Sequence, residues 1–91
     1  MEKFVKTKEG YVQLKHVIRF YIYSDTVYAE LYGNHSDESE KIESYKTSEY
    51  AHCALDMFME HIATHPDDPL LMMHSQLSLE RMEKQGLIDS I

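Results

Sequence analysis

The 91-residue chain has no tryptophan, a single cysteine, two prolines and three glycines. One cysteine, Cys53, allows no disulfide within the chain and no cysteine-based zinc site. So little Pro and Gly, set against 43% hydrophobic and 27% charged residues, excludes the collagen-like and low-complexity disordered classes. Long apolar runs are missing as well. No segment approaches the roughly 20 apolar residues that span a bilayer. The opening residues, Met1-Glu2-Lys3-Phe4, lack the apolar stretch of a signal peptide. The expected location is therefore cytoplasmic, and the sequon Asn34-His35-Ser36 is read as chance.

Positive charge is also scarce. Nine Lys and Arg against 16 Asp and Glu leave a formal net charge of -7. Nucleic-acid binders need cations to neutralise phosphates, so direct nucleic-acid binding is not expected, and neither is binding to an anionic membrane surface. An acidic chain can meet a basic protein partner, or can simply be soluble.

What is present is a change of period half-way along. Residues 4–7 and 11–14 are short apolar runs around the turn Lys8-Glu9-Gly10, which predicts a hairpin. Ile18, Phe20 and Ile22 alternate with Arg19, Tyr21 and Tyr23. After Ser24-Asp25, Val27, Ala29 and Leu31 alternate with Tyr28, Glu30 and Tyr32. Period two on both sides of a tight turn predicts a second antiparallel hairpin. Residues 33–40 read as an acidic loop, and 42–46 as one more short strand, facing inward with Ile42 and Ser44 or else with Glu43 and Tyr45. Beyond Thr47 the period becomes helical. Ala51, Ala54, Leu55, Phe58 and Ile62 form one stripe on a helix over 48–64, capped by Thr47 or Ser48 and ended by Pro66. Asp68 as N-cap, Pro69 at the first helical position and Gly86 as the stop predict a second helix over 69–85.

The expected fold is a single α+β domain over 1–91. A four- or five-stranded antiparallel meander (4–46) is covered on one face by the helix 48–64, with the helix 69–85 as a C-terminal extension. The core face would carry Ile18, Phe20, Ile22, Val27, Ala29 and Leu31.

The residues Gly10-Tyr11-Val12, Leu14, Val17, Phe20, Ile22, Tyr28-Ala29, Leu31, Tyr45, Thr47, Ala51 and Leu55 resemble a class of short bacterial and phage proteins of unknown function. Those proteins pair a small β-meander with a helix opened by Thr-x-x-x-Ala. The resemblance covers about residues 4–62. It implies the meander-plus-helix fold and brings no catalytic residue with it.

Chemistry-bearing constellations are sparse. His61 and His65 stand four apart on one helix face, but two histidines fall short of the three or four ligands zinc takes. No metal or cofactor is expected. Cys53 and His52 are adjacent and point about 100° apart on a helix, so they make no nucleophile–base pair, and no catalytic residue is assigned. Tyr21, Tyr23, Tyr28 and Tyr32 share the face opposite the expected core. They read either as cross-strand stabilisers or as a contact surface, because Tyr buries area while keeping a polar tip.

The acidic run Asp37-Glu38-Ser39-Glu40, followed by Glu43, reads as a solvated loop or as a phosphate mimic. Leu71, Met72, Leu79 and Met82 are the surplus apolar residues of an expected helix whose large side chains occupy most of its circumference. They point to a homodimer, with Leu87, Ile88 and Ile91 as an additional arm. The functional expectation is a non-enzymatic protein–protein interaction module that self-associates. The alternative is an acidic phage or mobile-element inhibitor of a basic nucleic-acid-processing protein.

Overall fold

A computed structural model describes residues 2–32 and 39–91. It is α+β, but the strands form two three-stranded sheets instead of one meander. The first hairpin pairs β1 (Phe4–Lys6) with β2 (Tyr11–Gln13) in antiparallel register, Val5 opposite Val12. A 3-10 turn over Leu14–His16 leads into the second sheet, of order β3 (Val17–Tyr23), β4 (Thr26–Leu31), β5 (Ser39–Ser44). A backbone bond ties the two sheets together, Lys8 N–H donating to Lys41 O at 2.9 Å, and Tyr32 N–H to His16 O at 2.7 Å continues the β3–β4 ladder past the strand ends.

The helix α1 (Ser48–Thr64) has the expected bounds. Thr47 is the cap, its side chain accepting from Tyr50 N–H at 3.3 Å. Glu49 stands in the first turn and His61 in the last, each suited to its pole of the helix dipole. Ala51, Ala54 and Phe58 are buried. The two alanines let the helix lie close to β3 and β4, and Phe58 meets Phe20 edge-on, with ring centroids 5.3 Å apart at 87°.

Period two fails at one point in β3. A register shift separates Val17, opposite Leu31, from Arg19, opposite Glu30. Such a bulge leaves one residue unpaired and moves the preceding ones to the other face. Val17 therefore packs against the core, whereas Ile18, expected inward, is 55% exposed. A second shift, between Val27 and Tyr28, makes Ile42 the extra residue of β5, so that Ile42 and Tyr45, from the two alternative faces, are both buried. The strand itself runs earlier than the expected 42–46. Tyr45, beyond its end, is buried and donates its hydroxyl hydrogen to His74 O.

The largest departure is after Pro69. The expected helix over 69–85 is instead a two-residue strand, β6 (Leu70–Leu71), followed by the shorter helix α2 (Gln76–Lys84). β6 runs parallel to β1, with Phe4 opposite Leu70 and Val5 opposite Leu71, and Phe4 N–H donates to Pro69 O at 2.9 Å. The physical reason lies in the four apolar residues 70–73. On a helix they would point in all directions. In extended chain they alternate: Leu71 and Met73 pack inward while Leu70 and Met72 are exposed. Asp68 caps no helix; its Oδ1 accepts from Leu70 N–H at 3.3 Å. The cap of α2 is Ser75, accepting from Ser78 N–H at 3.2 Å. The stop at Gly86 is as expected. Gly86 has φ of 72° and donates to Glu83 O at 3.1 Å, and Leu87 donates to Met82 O at 2.9 Å, the paired bonds of a Schellman end.

Candidate interaction surface

Strand register builds the outer face of the second sheet in rows. Arg19, Glu30 and Ser39 form one, Tyr21, Tyr28 and Lys41 the next, Tyr23, Thr26 and Ser44 the third. Of the sequence-identified tyrosines, Tyr21 and Tyr28 are directly opposed, and their rings stack with centroids 5.4 Å apart at 16°. Arg19 places its guanidinium 4.9 Å from the Tyr21 centroid and its Nε 3.1 Å from Glu30 Oε1. The Tyr21 hydroxyl donates to Ser39 Oγ at 2.9 Å. These two tyrosines are thus engaged in holding the sheet together. Tyr23 and Tyr32, on the same alternation, are 63% and 76% exposed. They offer exposed aromatic area with a polar tip, and among the described residues neither hydroxyl has a hydrogen-bond partner.

The C-terminal surface expected from sequence is mostly not a surface. Leu71 and Leu79 are fully buried in the chain's own core, and Met82 packs against that core. Only Met72 is exposed, at 58%. Of the expected apolar arm, Ile88 packs on the core and Ile91 N–H donates to Glu83 Oε2 at 2.7 Å, while the side chains of Leu87 and Ile91 stay exposed. Extending 70–73 as alternating chain lets one sheet edge absorb the surplus that a helix would have exposed.

An exposed apolar feature not identified from sequence lies along β3. Ile18 and Met59, 55% and 45% exposed, line an open groove with Leu14, Val17, Phe20 and Leu55 between the β3 edge and α1. The bulge that creates it has no signature in the residue pattern.

The paired histidines at the C-terminal end of α1 are held in structural bonds. His61 and His65 do share a face, their rings stacked at 4.2 Å. His61 Nε2 lies 2.8 Å from Asp68 Oδ2, and its hydrogen bond holds the Asp68 carboxyl below the usual range. A carboxylate accepts only, so His61 carries its hydrogen on Nε2. Thr64 spends its hydroxyl hydrogen on Glu60 O, so His65 Nδ1 donates to Thr64 Oγ1 at 2.9 Å. Among the described residues no three His, Cys, Asp or Glu side chains are grouped to hold a metal ion. Cys53 is half-buried with its Sγ 4.0 Å from Met57 Sδ, and burial pushes its thiol up, the wrong direction for a nucleophile. His52 beside it is exposed.

Of the acidic run, Asp37 and Glu38 lie outside the described residues, as does the sequon. Glu43 forms an ion pair with Lys8. No described helix is long and apolar enough to cross a membrane. Compared with known proteins, the chain matches no family model, no curated protein and no solved structure.

Proposed function

We propose that the protein is a non-catalytic interaction module that associates with itself through the second sheet, β3-β4-β5. The observation that carries this reading is the pair Tyr23 and Tyr32. Both are more than half exposed, Tyr23 in the row next to a tyrosine stack already fixed in place and Tyr32 just past the end of β4. A rigid aromatic platform flanked by exposed tyrosines loses little side-chain entropy on contact, because Tyr has few rotatable bonds and keeps its hydroxyl hydrated or bonded. A chain of this size also buries only about 60–65% of its unfolded surface alone, so association would add to a modest core.

Nuclear magnetic resonance of ¹⁵N-labelled protein over a hundredfold range of concentration tests the reading. Shift changes should concentrate on β3, β4 and Tyr32 and leave α2 unmoved. A spectrum that stays constant into the millimolar range would remove self-association from the proposal. Changes confined to α2 would move it to another surface.

A further inference from the structure

The two edges of the second sheet are not equivalent. The β5 edge is engaged by the first hairpin, through Lys8 N–H and Lys41 O and through the Lys8–Glu43 ion pair. The β3 edge has no neighbour in the sheet order among the described residues. Among the described residues, the one backbone bond between another segment and the start of this strand is Tyr32 N–H to His16 O, which precedes it. Natural edge strands are normally guarded by proline, lysine, inward-facing charge or extreme shortness. β3 is seven residues long, Val-Ile-Arg-Phe-Tyr-Ile-Tyr, with one charge and no proline. Its one guard is the bulge at Ile18, which leaves Arg19 to Tyr23 regular.

Resting on the reading of this sheet as a self-association surface, we propose that the occupant of the β3 edge is the β3 edge of a second copy. The two strands run antiparallel about a two-fold axis and join two sheets into one of six strands. Charge permits this occupant here and disfavours it elsewhere. The chain as a whole carries -7, so most of its surface repels a copy of itself, whereas this strand bears no acidic residue and its one cation, Arg19, is balanced by Glu30 of the neighbouring strand.

An axis through residue 20 or 21 keeps α1 of both copies on one face and the tyrosines on the other, since opposed residues in a ladder share a face. The first sets Arg19 opposite Tyr21 of the second copy, the second opposite its Tyr23. Either register adds a cation–aromatic contact of the kind Arg19 already makes with Tyr21 and places no like charges face to face. On the other face the exposed Ile18 and Met59 of each copy come beside the seam. Two-fold pairing satisfies both copies with one patch and closes after two.

Sedimentation equilibrium combined with spin-label distances tests the arrangement in the full chain carrying Cys53→Ser. Labels attached through Ser24→Cys or, separately, Leu77→Cys report on the β3 end and on α2, and both parent residues are exposed. The expected result is a dimer whose two positions 24 are separated by about 20–27 Å along the strands, with a longer, broader distance between positions 77. Ile18→Lys with Met59→Lys, both at exposed positions, should weaken dimerisation at least tenfold while leaving the circular-dichroism melt in place. A dimer indifferent to the lysine pair overturns the β3 arrangement and leaves the reading of the sheet as the self-association surface intact. A dimer with the short distance at 77 and none at 24, or a monomer at hundreds of micromolar, overturns both.

Discussion

Tyr50 on α1 donates its hydroxyl hydrogen to Glu83 Oε1 on α2 across 2.6 Å. That bond pushes the Tyr50 phenol up to about 12 and holds the Glu83 carboxyl below its usual range. The other carboxylate oxygen accepts from Ile91 N–H, so one side chain fastens both α2 and the chain end. Tyr50→Phe or Glu83→Gln should speed amide hydrogen exchange in α2 and at Ile91 while sparing β3 and β4. A Glu pKa depressed by folding stabilises the fold above the unfolded value of about 4.3 and ceases to do so as pH falls through the folded value. The difference in melting temperature between wild type and Glu83→Gln should therefore be present at pH 6 and shrink below pH 4. An equal gap at both pH values would show that the ionised carboxylate is not what holds the tail.

Phe58 and Phe20 make the central aromatic contact, but they are not equally buried: Phe58 is 2% exposed and Phe20 only partly enclosed. Phe58→Ala should cost about 3–5 kcal/mol, and Phe20→Ala should fall toward or below the lower end. Total stability of small domains is about 5–15 kcal/mol, so the first variant sits near loss of folding. Urea titration checks the order. A Phe58→Ala variant unfolding at the wild-type midpoint would contradict the packing of α1 on this sheet.

Tyr45 is buried, and its phenol is pushed upward first by that burial and then by the nearby Glu43 carboxylate. Removing the hydroxyl with Tyr45→Phe leaves His74 O without its donor and should cost about 1–3 kcal/mol. A raised folded pKa means that the neutral phenol's contribution is complete below the unfolded value of about 10 and is lost as pH rises through the folded value. Wild type should lose stability between pH 10 and 11.5 more steeply than Tyr45→Phe in paired denaturant titrations. Parallel losses would assign the alkaline transition to other groups.

Two backbone positions should respond with opposite sign. Ser24, in the two-residue β3–β4 turn, is the one described non-glycine residue with positive φ, at 60°. Turns with a positive φ at the first central residue favour Gly there, so Ser24→Gly should stabilise by up to about 1 kcal/mol. Gly86 has φ of 72° in open space, so Gly86→Ala meets no clash and should destabilise by about 1 kcal/mol through the left-handed conformation alone. Thermal melts of the two single variants check both signs.

Local rules account for much of the molecule. The turn at Lys8-Glu9-Gly10, the Ser24-Asp25 hairpin, the Thr47 cap, the bounds of α1 and the Gly86 stop each depend on neighbours within a few residues, and short-range patterns suffice to read them. The shared face of Tyr21, Tyr23, Tyr28 and Tyr32 follows from period two in the same way. Three features depend on partners distant in sequence, and only the tertiary structure decided them. Leu70 and Leu71 became a strand because the free side of β1, some 65 residues earlier, could bury Leu71 beside Val5. Separation into two sheets followed, since β1 took β2 and β6 as its neighbours. The bulge at Ile18 turned one apolar side chain outward because β4 sets the register of Val17 and Arg19 separately. A hydrophobic pattern states how much must be buried and with what period, whereas which edge receives it depends on contacts the pattern does not contain.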